Sequence, residues 1–209
     1  MSTSFKTVIE DFGLKWVSNN VITEVTRTRP GSLLYILHGE RPSTQSISIK
    51  MGKFGEEMAK EMIKTNPGLE LLRCGVQPID EKNGKKKDID LVWIDTQNKK
   101  LYVRELKGNI ELDTEKLPAT FKKITDDLMP FVKEKYPDYE INVGILNWSV
   151  YNRAELSAGL SHIKTCEKNG VCVDHWGDFC QLIQFEWSKE DYYVYMRTIG
   201  KMIDEMLAK

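Results

Sequence analysis

The sequence predicts a mixed α/β (α+β) protein in which a central mixed β-sheet is flanked by helices, and three observations carry that prediction. Short apolar runs bounded by turn residues, Leu91 to Ile94, Leu101 to Val103 and Ile141 to Trp148, read as strands. Segments with apolar residues at helical spacing stand around them, at Met51 to Lys64, Arg153 to Lys168 and from Ser188 onward. The 209 residues are 41% hydrophobic and 29% charged, enough for a proper core as one domain or one domain plus a small lobe.

The balance of charge is close to neutral, with a formal net charge of −1 and a pI near 6.3, so a uniformly basic nucleic-acid coat is excluded while a local basic face is not. No apolar run approaches the roughly 18 residues of a membrane span. The opening MSTSFKTVIEDFG lacks the basic and apolar regions of a signal peptide, and an intracellular, cytoplasmic location is expected. Cys74, Cys166, Cys172 and Cys180 do not form the dense pattern of a disulfide-stapled domain, so reduced thiols are expected.

In chain order, Ser4 followed by Phe5, Val8, Ile9 and Phe12 predicts a capped amphipathic helix ending near Gly13. Val21 to Arg41 carries Arg27 and Arg29 beside a Pro30-Gly31 turn, where they are placed to reach a phosphate or a base edge. In MGKFGEEMAKEMIK, Met51 to Lys64, the helical arc of Met51, Phe54, Gly55, Met58, Ala59 and Met62 puts Glu56 at its edge and Glu57 on the solvent side. Leu69 to Ile79 reads as a strand interrupted by Gly75, and Asp80 to Lys87 as a loop bearing Lys82, Lys85, Lys86 and Lys87. Pro118 and Pro130 predict two shorter helices within Glu111 to Tyr136. Asn169-Gly170 closes the helix from Arg153, and short strands are expected around Val171 to Val173 and Cys180 to Phe185. Ser188-Lys-Glu-Asp191 opens the last helix, whose stripe from Tyr192 to Met206 is read as core.

The stretch that carries chemistry is Asp88 to Lys107, DIDLVWIDTQNKKLYVRELK, read as a hairpin around the polar tract Asp95 to Lys100. Strand alternation puts Glu105 and Lys107 on one face and gives Asp88 and Asp90 a common face on the neighbouring strand. Carboxylates and an ammonium gathered at one end of a hairpin are costly to bury unless something uses them, and a divalent cation is the usual use. The alternative reading is a solvated hairpin with salt-bridged edges.

A helix with G-x-x-G-E-x-x-A at Gly52, Gly55, Glu56 and Ala59, then Asp90, then Glu105-Leu106-Lys107 resembles the PD-(D/E)XK nuclease superfamily over about a quarter of the chain. The family's proline is absent before the first acid, where Lys87-Asp88-Ile89-Asp90 stands; Asp90 is preferred to Asp88 because it lies against the apolar run. The resemblance implies a restriction-endonuclease-like fold forming one nuclease domain over residues 1–209, with DNA-recognition loops and a C-terminal helix as elaborations. It implies Asp90, Glu105, Lys107 and Glu56 as catalytic residues, and Mg²⁺, with Mn²⁺ as substitute, held by Asp90, Glu105 and the Leu106 carbonyl. Within that superfamily, the size and the lack of a G-x-x-x-x-G-K-[ST] motif make the chain resemble a type II restriction endonuclease of a restriction-modification system, which implies a homodimer acting on double-stranded DNA. Candidate DNA contacts are Arg27, Arg29, Gln45, Lys85, Lys86, Lys87, Asn147, Asn152 and Arg153.

Two competing functions stand beside this one: a repair or recombination nuclease such as a junction resolvase, and a non-catalytic nucleic-acid-binding protein. His162, Cys166, Cys172, His175 and Cys180 crowd together, and Cys166, Cys172, His175 and Cys180 form a candidate zinc set. Their spacings contain no C-x2-C pair, and small buried cysteines are the simpler reading.

Overall fold

The structure is a computed structural model that describes residues 8–24, 26–80, 83–108, 116–156 and 160–208. It packs as two compact units, residues 1–58 with 187–209, and residues 59–186. Ser4, Phe5, Lys82 and the segment from Glu111 to residue 115 lie outside the described residues.

In the first unit the initial helical run covers residues 8–22, continuing through Gly13 instead of ending there. A Cβ at Gly13 would fall 1.7 Å from Tyr195 Oη, so the missing side chain is what admits the last helix, Lys189–Leu207. Val17, Val21, Phe54, Met58 and Ile199 are buried in this unit, and Trp187 packs edge-on to Tyr192 and Tyr195. The expected N-cap is present, with Ser188 Oγ accepting from the Asp191 amide at 3.0 Å. Leu33–His38 is a short helix capped by Ser32, and the helix expected from Met51 begins earlier, running Thr44–Lys64.

The second unit is built on a five-stranded mixed sheet of β1 (Leu69–Leu71), β4 (Leu91–Asp95), β5 (Lys100–Lys107), β6 (Glu140–Asn147) and β7 (Cys172–His175), in the order β1-β4-β5-β6-β7. Pairings are antiparallel from β1 to β5 and parallel from β5 to β7. The predicted hairpin is β4–β5, closed by Asn98, whose amide and Nδ2 donate to Asp95 Oδ1 and Oδ2 at 2.9 and 2.7 Å. The expected loop over Asp80 to Lys87 is instead the turn of a separate two-stranded sheet, β2 (Gly75–Asp80) with β3 (Lys85–Ile89). Three lysines are therefore strand residues, divided between its two faces.

Strand alternation separates two cores. Val92, Ile94, Leu101, Val103, Val143, Ile145 and Val173 face helical residues Leu117, Ile124, Leu128, Val132, Ile163 and Cys166. That helical cover is continuous over residues 117–135, with π-helical turns at Lys123–Leu128. Two helices were expected because Pro130 lacks a donor, but the Met129 amide reaches five residues back to the Ile124 carbonyl and the wider turn carries the chain past the proline. The segment from Cys180 to Phe185 is not a strand; Trp176–Leu182 is a helix that buries Trp176, Phe179 and Cys180. Arg153 to Lys168 divides into a 3₁₀ turn, Arg153–Glu155, and a helix, Leu160–Lys168.

On the opposite face Arg104, only 1% exposed, is the central residue. Its Nε donates to Asp174 Oδ2 at 2.6 Å, its Nη2 to Asn142 Oδ1 at 2.6 Å, and its Nη1 to the carbonyls of Val103 and Asn142. The guanidinium also lies 5.8 Å from the ring centroids of Trp93 and Tyr102. Its register partner on β6 is Gly144, so no side chain stands between Arg104 and the edge strand β7. Replacing Arg104 with Met is expected to lower unfolding free energy by about 3–5 kcal/mol in urea titration, because Asp174 and Asn142 lose their buried partner. A change under about 1 kcal/mol would contradict this role.

Candidate functional site

The site is assembled where β5 runs past the beginning of β4. Leu106 shares the Arg104 face, while Glu105 and Lys107 point to the other, as the sequence predicts. Asp90 occupies the bend between β3 and β4, and its Oδ2 accepts the Leu106 amide at 2.9 Å. The Trp148 amide donates to the Lys107 carbonyl, so Lys107 turns its backbone groups toward β6. In an extended strand neighbouring residues alternate edges, and the Leu106 carbonyl therefore faces the Asp90 side. Asp88 belongs to β3, is exposed, and lies opposite Val76 on that sheet. Of the two acids, Asp90 is the one tied to the Glu-x-Lys strand.

Glu105 is 6% exposed. Its Oε1 receives Lys107 Nζ at 3.4 Å and its Oε2 receives Lys123 Nζ at 2.5 Å. Lys123 was not anticipated from the sequence. At helical spacing it sits at the margin of the arc of Leu117, Thr120, Ile124 and Leu128, with Lys122 on the far side, and that phase was the available signal. Four residues on, Asp127 faces β3 and takes Lys85 and Lys87, the latter at 2.9 Å. Burial pushes its carboxyl up, yet the hydrogen bonds from Lys85 and Lys87 outweigh burial and hold Asp127 below the usual carboxylate range.

Lys107, Asn147 and His175 are register partners across the ends of β5, β6 and β7. Asn147 is 0% exposed, and its Oδ1 accepts from Ser149 Oγ at 2.9 Å, so it is an interior residue in this structure. His175 is likewise interior; its ring meets Asp178 Oδ2 at 3.3 Å, and its amide donates to the same oxygen at 2.8 Å. The hydrogen bond from the His175 ring, opposed by burial, lowers the Asp178 carboxyl.

The other candidates are distributed as follows. Lys86 is exposed on the hairpin face opposite Lys85 and Lys87. Asn152 caps the 3₁₀ turn through the Ala154 amide, and Arg153 pairs with Glu167 at 2.7 Å. Arg27, Arg29 and Gln45 are exposed residues of the first unit, with Arg27 Nε 3.9 Å from Glu40. Glu56 is also in the first unit and accepts from Lys53 at 2.5 Å; its side chain and that of Glu57 are 22% and 28% exposed, so the expected contrast between an inward and a solvent acid does not appear.

The candidate zinc residues do not gather: among the described residues no three His, Cys, Asp or Glu side chains form a group that could hold a metal ion. Cys166 belongs to the core beneath Val171 and Val173, whereas Cys172, next to Val173 in an alternating strand, faces the other way. Burial pushes the Cys180 thiol up to about 12, which disfavours the thiolate that zinc requires. Asp90, Glu105 and the Leu106 carbonyl offer oxygen donors only, the kind a hard divalent cation takes, but they contain two carboxylates rather than three metal-ligating side chains, and both Glu105 oxygens are engaged by lysines.

No family model matches the chain, and no curated protein matches it. No helix among the described residues is long and apolar enough to cross a membrane.

The Asp127 contacts make a pH prediction. A carboxyl held below its unfolded value adds stability above that value, about pH 4, and the contribution is lost as pH falls through the lower folded value. Urea titrations should show Asp127→Asn less stable than the parent at pH 7, with the difference shrinking toward zero on acidification below about pH 4. A pH-independent difference would contradict the ion-pair account.

Proposed function

We propose that the chain is a Mg²⁺-dependent endonuclease acting on double-stranded DNA, in its finer form a homodimeric type II restriction endonuclease. The observation that carries this reading is that Asp90 accepts the amide of Leu106, the residue between Glu105 and Lys107, while Lys107 donates to the Glu105 carboxylate on the same strand. Asp90, Glu105 and the Leu106 carbonyl would hold the ion, which when bound supplies charge to the scissile phosphate and acidifies a coordinated water.

The remaining roles belong to the chain. The Leu106 amide fixes Asp90, so the acid presents its carboxylate without a conformational search. Lys107, tethered two residues from Glu105, orients the attacking water and offsets negative charge that builds on phosphorus. Lys86 and its neighbours on the β2–β3 hairpin offer a basic approach for a phosphate backbone, with Lys86 the most available of the three.

Supercoiled plasmid incubated with the protein and Mg²⁺ should be cut, and cleavage should stop on chelation. Lys107→Ala should lower the rate by about 10²–10³-fold while DNA affinity changes little, and Asp90→Asn should do the same. Discrete fragments from long DNA support the restriction reading, whereas cutting confined to branched substrates would replace it by junction resolution. Normal cleavage by Lys107→Ala would refute the mechanism.

A further inference from the structure

Glu105 has an ammonium on each oxygen, and the two lysines differ in kind. Lys107 is a neighbour on the same strand with the longer contact, 3.4 Å. Lys123 comes from the helix over residues 117–135 and makes the tighter one, 2.5 Å, with its own side chain only 18% exposed. An oxygen engaged at that distance is not open to a divalent cation on the same lone pairs. A lysine is nevertheless a releasable partner, since it is a point charge on a flexible four-carbon stem without the two-pronged hold of an arginine.

Resting on the reading of Asp90 and Glu105 as a divalent-cation site, we propose that Lys123 is a resident counter-cation that holds Glu105 Oε2 in the metal-free protein and is displaced when the ion binds. Its presence keeps a buried carboxylate compensated, which an empty acidic site would not achieve. It also sets the affinity of the site, because an ion that binds only after Lys123 leaves sees a fraction of the protein in competent form. The helix would thereby become a sensor of occupancy, its Lys123 ammonium released from Glu105 only as the ion arrives.

The test uses Mn²⁺ alone as probe, titrated into the full chain without DNA and followed by calorimetry or by the electron paramagnetic resonance of free Mn²⁺. The parent should bind Mn²⁺ at a site that Glu105→Gln removes. Lys123→Met and Lys123→Gln should each bind about tenfold more tightly, with thermal unfolding verifying that both are folded. If both lysine variants bind Mn²⁺ no more tightly than the parent while Glu105→Gln abolishes binding, the counter-cation idea fails and the metal site stands. If the parent does not bind Mn²⁺, or Glu105→Gln leaves binding intact, both the idea and the metal site on which it rests fall.

Discussion

The Arg104 guanidinium lies 5.8 Å from the ring centroids of Trp93 and Tyr102, which stack on each other, and reaches across the β6 position occupied by Gly144 to Asp174 on the edge strand. A charge this deep is tolerated because its partners are hydrogen-bond acceptors and π faces and because Asp174 supplies the countercharge. The consequence extends beyond stability. With Arg104 anchored on one face, the period of two in an extended strand sends Glu105 and Lys107 to the other, and a slip of one residue would exchange a buried arginine for a buried glutamate. The register of the candidate site is thus fixed by an interaction on the far side of the sheet.

On the site's own face, the helix over residues 117–135 supplies opposite charges in successive turns. Lys123 meets Glu105 and Asp127 meets Lys85 and Lys87, so the same helical margin neutralises an acid of the sheet and two bases of the hairpin. These contacts are complementary in sign and mostly sheltered on the side of the helix residue, which makes them more than exposed surface pairs. They also divide the lysines of β3: two are spent on packing the hairpin, and Lys86 is presented outward.

Much of the site was legible because it is local. The two apolar runs with a polar turn determined the β4–β5 hairpin, and the period of two placed Glu105 with Lys107 without further information. Of Asp90 and Asp88, Asp90 is the one whose carboxylate accepts the Leu106 amide hydrogen bond. What was not legible depends on contacts distant in the chain or on competing local signals. Lys123 becomes part of the site only when its helix packs on β5. Pro130 reads as a helix boundary until a π-helical turn carries the backbone past it. Cys180 to Phe185 was expected as a strand, although Trp176, Phe179, Cys180 and Ile183 recur at helical spacing and are all buried. The cysteines and histidine that seemed a cluster in sequence are divided by strand alternation and helix packing, which proximity in sequence does not reveal.

The proposed function rests on Asp90, Glu105 and the Leu106 carbonyl holding one divalent cation. Anomalous diffraction from a crystal of the protein soaked in Mn²⁺ tests it most directly. The account predicts a peak about 2.1–2.2 Å from a carboxylate oxygen of Asp90, one of Glu105 and the Leu106 carbonyl, with Lys123 Nζ moved away from Glu105. A peak elsewhere, or none at Mn²⁺ concentrations well above those of the solution titration, would contradict it.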